Sequence, residues 1–117
     1  MKVIDGSLTK KAELVGNGLG NSIIGGAGND TLWGMAGNDS LYGGDGNDVF
    51  IYMQGDGNDT IFDYANNDMI FIFGDTQPIN KFVGRNLVIS TGTGSITLKD
   101  FVGSGSTNVN MLFVKTS

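Results

Sequence analysis

The chain has 117 residues, enough for one domain with a small hydrophobic core. It contains no cysteine and no histidine, which excludes disulfides, thiol catalysis, the usual zinc ligands and the commonest general base at neutral pH. The net charge is −5, and residues 12–80 contain ten acids and no lysine or arginine, which argues against nucleic acid or an anionic membrane as a partner. No apolar run approaches the roughly 20 residues that a membrane-spanning helix needs.

Residues 1–15 open the chain and do not follow the pattern that comes next. Leu14 alone has the right phase, because it lies nine residues before Ile23. A stack of short repeats needs its exposed ends covered. We therefore expect this segment to be an amino-terminal cap or the frayed end of a preceding turn.

Residues 16–68 repeat a short phrase of glycine, asparagine and aspartate. Three successive copies read GGAGNDTLW, GMAGNDSLY and GGDGNDVFI, and QGDGNDTIF follows after a two-residue insertion. The consensus of the three copies is G-G-x-G-N-D-x-U-x, in which U is apolar and Met35 is the one departure among the glycines. A degenerate copy with Asn21 in place of the acid precedes them, and another, which ends at Asp68 and has lost its glycines, follows.

Each copy predicts a tight turn followed by one short strand. Glycines at the first, second and fourth places can adopt positive φ, and the next three residues form a strand with only the middle side chain inward. Stacking the copies about 4.8 Å apart lines up these middle residues in a continuous core, as in solenoid proteins. The residues expected in this core are Ile23, Leu32, Leu41, Phe50, Ile61 and Ile70.

Stacking also superimposes the aspartates. Carboxylates layered a few ångströms apart repel one another, so a positive charge is needed between them. Calcium takes about six to eight oxygen ligands from carboxylates and backbone carbonyls, and it suits such turns better than magnesium or zinc. A solvated acidic surface is the alternative explanation, but the acids keep a fixed phase with glycines and apolar residues, which favours the metal.

From residue 69 the apolar segments become longer. The sequence predicts a buried strand at 70–73, a loop at 74–80, and a β-hairpin formed by NLVIS and SITLK. A Gly/Ser linker then leads to a final strand from Val109 to Val114. Phe82, Phe101 and Phe113 add enough apolar mass to close the open end of the stack.

Residues 16–68 resemble the RTX (repeats-in-toxin) nonapeptide domain, and the segment containing LVIS and GSITLKDF resembles the capping region that follows such repeats. The resemblance implies an all-β fold, a parallel β-roll (a β-helix or solenoid) closed by a carboxy-terminal β-hairpin cap. It divides the chain into an amino-terminal cap at residues 1–15, calcium-binding repeats at 16–68 and a capping region at 69–117.

In that family each ion lies between turns two copies apart, held by the acids and by backbone carbonyls at the glycine positions. The implied pairs are Asn21 with Asp39, Asp30 with Asp48, Asp39 with Asp59, and Asp48 with Asp68. The resemblance implies two calcium ions, and up to four if the degenerate turns also bind. The implied metal ligands are Asn21, Gly26, Gly28, Asp30, Gly37, Asp39, Gly44, Gly46, Asp48, Gly55, Gly57, Asp59, Asp63 and Asp68.

Asp39 and Asp48 each belong to two of these pairs. Asp45 and Asp56 lie instead at the variable third place of their turns, where we expect the side chains to be dispensable.

The resemblance also implies a setting and a function. It points to a hemolysin-type, calcium-binding module of a larger bacterial toxin, adhesin or exported enzyme. Such proteins leave the cell by type I secretion and fold in the extracellular space or at the cell surface. The module would fold on binding calcium and support neighbouring domains of its parent, as a monomer and without nucleic acid.

Two other functions are alternatives. An enzyme with paired carboxylates is disfavoured, because every candidate aspartate lies in a glycine turn and Glu13, the only glutamate, has no partner in phase. An adhesin or polysaccharide-binding module would use outward aromatic residues at the last place of the repeats. These are Trp33, Tyr42, Phe62 and Phe71, although aromatic pairing along the sheet explains them more simply.

Overall fold

A computed structural model describes residues 2–5, 13–65, 67–102 and 109–115. These residues form twelve β-strands, and none of them lies in a helix that could span a membrane. The prediction of an all-β fold is therefore confirmed. The strands are β1 Lys2–Asp5, β2 Glu13–Val15, β3 Asn21–Ile24, β4 Thr31–Trp33, β5 Ser40–Tyr42, β6 Val49–Met53, β7 Asn58–Ile61, β8 Met69–Gly74, β9 Ile79–Val83, β10 Asn86–Ser90, β11 Ser95–Leu98 and β12 Met111–Lys115.

Successive copies of the repeat alternate between two sheets. The order is β1-β3-β5-β7-β11-β10-β9 in the seven-stranded sheet and β12-β8-β6-β4-β2 in the five-stranded sheet. Copies two apart are parallel neighbours, so Leu41 lies opposite Ile23 in one sheet and Phe50 lies opposite Leu32 in the other. This arrangement superimposes every turn on the turn two copies away, which brings the acids of the repeats into register.

The middle residue of each repeat strand points into the space between the sheets. All six predicted core residues are at most 2% exposed, which confirms that prediction. The two-residue insertion after Phe50 lengthens β6 and adds a further inward side chain, Tyr52, opposite Ile72 of β8. The core therefore widens at the carboxy-terminal end of the stack.

The carboxy-terminal strands continue both sheets. β11 pairs in parallel with β7, and β12 pairs in parallel with β8. β10 and β9 follow β11 in antiparallel order, so the seven-stranded sheet is mixed rather than parallel throughout. Inward residues of the hairpin join the core of the repeats, and they are Leu87, Ile89, Ile96 and Leu98. That this hairpin closes the roll stays a prediction.

Strand β9 was not predicted, since residues 79–80 were assigned to a loop. All five of its residues are exposed and it pairs with β10 alone, so it lacks the burial that creates a readable hydrophobic pattern. At the other end, β1 and β2 pair in parallel with β3 and β4 and extend the two sheets. Residues 6–12 of the predicted cap and the predicted linker at 103–108 lie outside the described residues.

Candidate metal centre

The turns follow one backbone path that requires left-handed residues. Gly26 and Gly28 have φ values of 89° and 96°, and Gly44 and Gly46 have φ values of 80° and 97°. Met35, at the second place of its copy, follows the same path with a φ of 64°. The left-handed region costs an L-residue roughly 1–2 kcal/mol, which explains why glycine is the rule here.

The first glycine of each copy makes room for the acid of the same turn. A Cβ added at Gly25 would lie 2.6 Å from Asp30 Oδ2, and one added at Gly43 would lie 2.5 Å from Asp48 Oδ2. Both separations are far inside van der Waals contact. The carboxylate is therefore turned back over its own turn, into a space that only glycine leaves open.

The acids of stacked turns are joined through their other oxygen. The backbone N–H of Asp30 donates to Asp48 Oδ1 at 2.9 Å. Equivalent bonds run from Asn21 to Asp39 at 2.7 Å, from Asp39 to Asp59 at 3.0 Å and from Asp48 to Asp68 at 2.9 Å. The structure thus brings together the four pairs that the resemblance implied.

In Asp39 and Asp48 the second carboxylate oxygen is buried without a donor. Oδ2 of Asp39 and Oδ2 of Asp48 accept no hydrogen bond from any described residue. An isolated charge in such a place is costly unless it is neutralised or paired.

The turn that ends at Asn21 shows what satisfies this position when the acid is missing. A Cβ added at Gly16 would lie 2.7 Å from Asn21 Nδ2, so this nitrogen occupies the place that Oδ2 has in the acidic turns. It donates to the carbonyl oxygen of Leu19 at 2.9 Å and to Asn17 Oδ1 at 3.1 Å. A carboxylate oxygen in the same place cannot donate, so oxygen atoms face one another and a cation is the group that would satisfy them.

Burial raises the pKa of the stacked acids. The pKa of Asp48 is raised to about 7 by burial first, with the charges of Asp68 and Asp30 adding to it. The pKa of Asp59 is raised to about 8 by burial and then by the charge of Asp39. Burial also raises the pKa of Asp39 and of Asp68. Each of these carboxylates is therefore held in surroundings that disfavour its charged form unless a positive charge is close.

Backbone carbonyls reach from one turn towards the next in the stack. A Cβ added at Gly57 would lie 2.6 Å from the carbonyl oxygen of Gly37. Cβ atoms at Gly44 and Gly46 would collide with the carbonyl oxygens of Gly26 and Gly28. The glycine carbonyls expected to act as ligands thus lie between stacked turns, whereas Gly55 has open space around it.

In the last turn of the repeats, residues 63–68, backbone N–H groups already donate hydrogen bonds to the carboxylates. Asp63 stands where the first glycine would be, and its two oxygens accept the N–H groups of Gly43 at 2.9 Å and Gly44 at 2.7 Å. Asp68 accepts from Asp48 through Oδ1 and from Ala65 N–H through Oδ2, the latter at 3.0 Å. This turn therefore offers fewer open ligands than the turns that end in Asp39 and Asp48.

The expectation that the Asp56 side chain is dispensable is wrong, because this side chain makes buried hydrogen bonds. It is 7% exposed, and its Oδ2 accepts hydrogen bonds from Trp33 Nε1 at 2.8 Å and from the N–H of Met53 at 2.9 Å. Asp45, at the same place one copy earlier, is exposed. The insertion that lengthens β6 separates the two sites, and it is the signal in the sequence that could have distinguished them.

The asparagine at the fifth place also has a role that sequence reasoning missed. Asn29 Oδ1 accepts the N–H of Asn47 at 2.8 Å, and Asn38 Oδ1 accepts the N–H of Asn58 at 3.0 Å. These bonds tie successive turns together outside the acids. The recurrence of asparagine at one place of the repeat is the signal that could have revealed them.

Within the described residues no three acidic side chains converge on one point, so the acids meet in pairs. A calcium ion takes about six to eight oxygens, so backbone carbonyls would have to supply the remainder. The Oδ2 atoms of Asp39 and Asp48 accept no hydrogen bond, and glycine carbonyl oxygens lie between the same stacked turns. The available metal ligands are therefore all oxygen atoms. That chemistry fits a hard cation and does not fit zinc.

Comparison with protein-family models gives an independent result. Residues 15–50 and 55–71 match the RTX calcium-binding nonapeptide repeat in four copies, and the gap between the two ranges coincides with the insertion. The match ends at residue 71 and so does not include the hairpin. A search of curated proteins finds no match. Residues 15–71 of the chain therefore carry RTX calcium-binding nonapeptide repeats, and the repeat of this family binds Ca²⁺.

Proposed function

We propose that the chain is a calcium-dependent folding module of a larger bacterial protein exported by type I secretion. Its role is to stay unfolded where calcium is scarce and to fold into a rigid support for neighbouring domains in the extracellular space or at the cell surface. The ligands are the pairs of stacked acids and the glycine carbonyls between them. The expected number of ions is two, and four if the Asn21 and Asp68 turns also bind.

One observation carries the proposal most directly. Nδ2 of Asn21 donates within its own turn, whereas the equivalent Oδ2 atoms of Asp39 and Asp48 are buried without a donor. At this position the turn with asparagine satisfies its own buried atom, although Asn21 Oδ1 also has no donor, and the turns with Asp39 and Asp48 do not. Bound calcium would supply the positive charge that these carboxylates lack.

The repeats contain little else that could hold them together. Each nine-residue copy contributes one inward apolar side chain, while ordering its backbone has an entropic cost for every residue. Buried acids with raised pKa oppose folding further at neutral pH. Folding and metal binding are therefore expected to be a single event.

The three regions of the chain have different roles in this proposal. Residues 16–68 hold the metal, residues 1–15 cover one end of the stack, and residues 69–117 cover the other. The same division argues against an enzyme, because the acids that could act in pairs are buried between turns and occupied with backbone donors.

A circular dichroism titration tests the proposal. Metal-free protein at neutral pH should give the spectrum of a disordered chain and should acquire β-structure as calcium is added. Extracellular calcium modules have dissociation constants of about 10⁻⁴ to 10⁻³ M, so the midpoint should lie in that range, and magnesium should give a much weaker response. A metal-free sample that already shows full β-structure and melts cooperatively would contradict the proposal.

A further inference from the structure

A cleft of about 450 Å³ opens beyond the carboxy-terminal ends of β7 and β11, beside the turn between β9 and β10. The residues that line it include Phe62, Asp63 and Tyr64 from the end of the repeats and Arg85, Lys99 and Asp100 from the carboxy-terminal region. Lys99 directly follows Leu98, which lies opposite Ile61, so its side chain stands beside Phe62. Two cations distinguish this cleft from the calcium-binding turns, and Asp63 of the last turn lines its edge.

One wall of the cleft is an aromatic ring. Phe62 and Tyr42 are stacked with their ring centroids 4.7 Å apart and their planes 13° apart. The stack runs along the sheet from β5 towards β11, where Lys99 takes the next place. Among the described residues no further ring stacks on Phe62, which is 37% exposed. The part of the Phe62 ring that Tyr42 and Lys99 leave exposed therefore forms an apolar edge of the cleft.

The cations of the cleft are well placed and accessible. The backbone carbonyl of Arg85 accepts from Val102 N–H at 3.0 Å, and Asp100 N–H donates to Asn86 Oδ1 at 2.9 Å, so the two turns hold each other in place. Arg85 and Asp100 form a distant ion pair of 3.8 Å, and their side chains are 65% and 62% exposed. Such an exposed ion pair is weak, so the Arg85 guanidinium can donate to an anionic ligand instead of Asp100.

The acids of the cleft provide acceptors in fixed positions. Both oxygens of Asp63 are held by the N–H groups of Gly43 and Gly44. A carboxylate has about four lone-pair sites, so Asp63 can still accept hydrogen bonds from a ligand. Asp100 has a φ of 53° and so lies in a left-handed turn, and its side chain is exposed at the cleft. A ligand with hydroxyl groups would find partners at both acids.

The cleft contains two cations and two acids, and the charge of the carboxy-terminal region beyond it favours an anion. Residues 69–117 contain four lysines and arginines against two aspartates, whereas residues 12–68 contain acids and no base. An anionic ligand would therefore be attracted to this end of the molecule and repelled by the repeats.

We propose that this cleft binds a carboxylated sugar residue of an acidic glycan. The apolar face of the sugar ring lies on Phe62, its carboxylate bonds to Arg85 and Lys99, and its hydroxyl groups donate to Asp63 and Asp100. An aromatic acid without hydroxyl groups would satisfy the cations but would not use the remaining lone pairs of Asp63 and Asp100. The inference rests on the proposed function only in that the repeats must be folded.

Two acidic probes test the inference by calorimetric titration of calcium-loaded protein. One is sialyllactose, and the other is a tetrasaccharide of alternating glucuronate and N-acetylglucosamine. Lactose and a neutral N-acetylglucosamine tetrasaccharide are the matched uncharged probes. We expect at least one acidic probe to bind, and its neutral counterpart to bind roughly tenfold more weakly, since a charge-assisted hydrogen bond contributes that much.

Three variants locate the site. Lys99→Gln and Phe62→Leu should each weaken binding roughly tenfold, because one removes a cation and the other removes the flat ring while keeping apolar bulk. Lys81→Gln removes the same charge from an exposed position on β9 and should leave affinity unchanged. Circular dichroism in calcium confirms that each variant is folded.

Four results would overturn the inference. They are no binding of either acidic probe at millimolar concentration, equal binding of the neutral probes, equal losses in Lys99→Gln and Lys81→Gln, and unchanged binding by Phe62→Leu. All are measured on folded, calcium-loaded protein, so they leave the proposed function intact. A chain that folds without calcium would contradict the proposed function and leave the cleft to be judged by these titrations.

Discussion

Trp33 Nε1 donates a hydrogen bond of 2.8 Å to Asp56 Oδ2, joining the first intact copy of the repeat to the turn that follows the insertion. The same oxygen accepts the N–H of Met53 at 2.9 Å, so one buried carboxylate holds a side chain and the end of β6. This contact does not involve the stacked acids. It gives Asp56 a structural role that is separate from calcium binding.

The first prediction follows from that role. Asp56→Ala should leave two donors unpaired and lower the free energy of unfolding in saturating calcium by about 1–3 kcal/mol. Asp45→Ala, at the same place of the preceding copy, removes an exposed side chain and should change it by less than about 0.5 kcal/mol. Urea unfolding followed by fluorescence of the single tryptophan, Trp33, measures both. Equal effects of the two substitutions would contradict the assignment.

The second prediction concerns Asp39, which is bonded to the turn before it and the turn after it. Asp39→Asn keeps an acceptor for Asn21 N–H but removes a buried charge. The calcium midpoint should rise roughly tenfold, while the metal-free protein should gain structure because a desolvated charge is gone. Asp45→Asn makes the same charge change at an exposed position and is the control. Similar midpoints for both variants would mean that Asp39 is not a ligand.

The third prediction concerns pH: acidification should stabilise the fold without metal and should weaken it in calcium. The pKa values of Asp48 and Asp59 rise from 3.8 to about 7 and about 8 in the folded chain, so the folded chain binds protons more tightly than the unfolded chain. The resulting stabilisation is fully present below pH 3.8 and is lost as the pH rises through about 7 and then 8. Metal-free protein should therefore show more β-structure at low pH than at high pH.

With calcium present the direction reverses, because protons and the ion compete for the same carboxylates. The calcium midpoint should rise as the pH falls through the same range. Circular dichroism titrations at a pH of about 5.5 and about 8.5, on protein freed of metal by gel filtration, measure both effects. A metal-free protein that loses structure on acidification would show that these acids are charged and well solvated in the fold.

The periodic part of the fold could be predicted from the sequence, because the inward residue and the acid recur at a fixed spacing. Leu32 and Asp39 illustrate this, since spacing assigns Leu32 to the core and the resemblance to the RTX repeats pairs Asp39 with turns two copies away. Strand β9 could not be predicted, because an exposed edge strand has no apolar period. The role of Asp56 depends on Trp33, a residue 23 positions away, and no local pattern contains that contact.

The fourth prediction replaces the asparagine of the first turn by the acid that the other turns have. Asn21→Asp removes the amide that donates to Leu19 and Asn17 and places a carboxylate beside Asp39. The variant should have less structure without calcium and should bind an additional ion at saturation, as measured by calorimetry. Asn29→Asp makes the same charge change at the exposed fifth place of a copy and should add none. An unchanged number of ions in Asn21→Asp would show that the first turn cannot be completed by a carboxylate.

The last prediction concerns the strands that follow the repeats. β11 pairs with β7 through four residue pairs from Ser95–Asn58 to Leu98–Ile61, and β12 pairs with β8 in the other sheet. The carbonyl of Gly57 accepts Tyr52 Oη–H at 2.5 Å and the N–H of Ser95 at 3.2 Å, so the hairpin continues the last intact turn. These contacts need no metal. They provide a surface on which a first repeat can form.

A chain that ends at Gly74 keeps every implied acidic ligand but loses this surface. We expect it to stay disordered at calcium concentrations that fold the full chain, because a new turn buries too little apolar surface to form without a neighbour. Adding residues 75–117 as a separate peptide should restore part of the β-structure, as measured by circular dichroism. If the shortened chain folds with an unchanged calcium midpoint, the repeats nucleate on their own, and the hairpin serves the cleft beside Phe62 rather than folding.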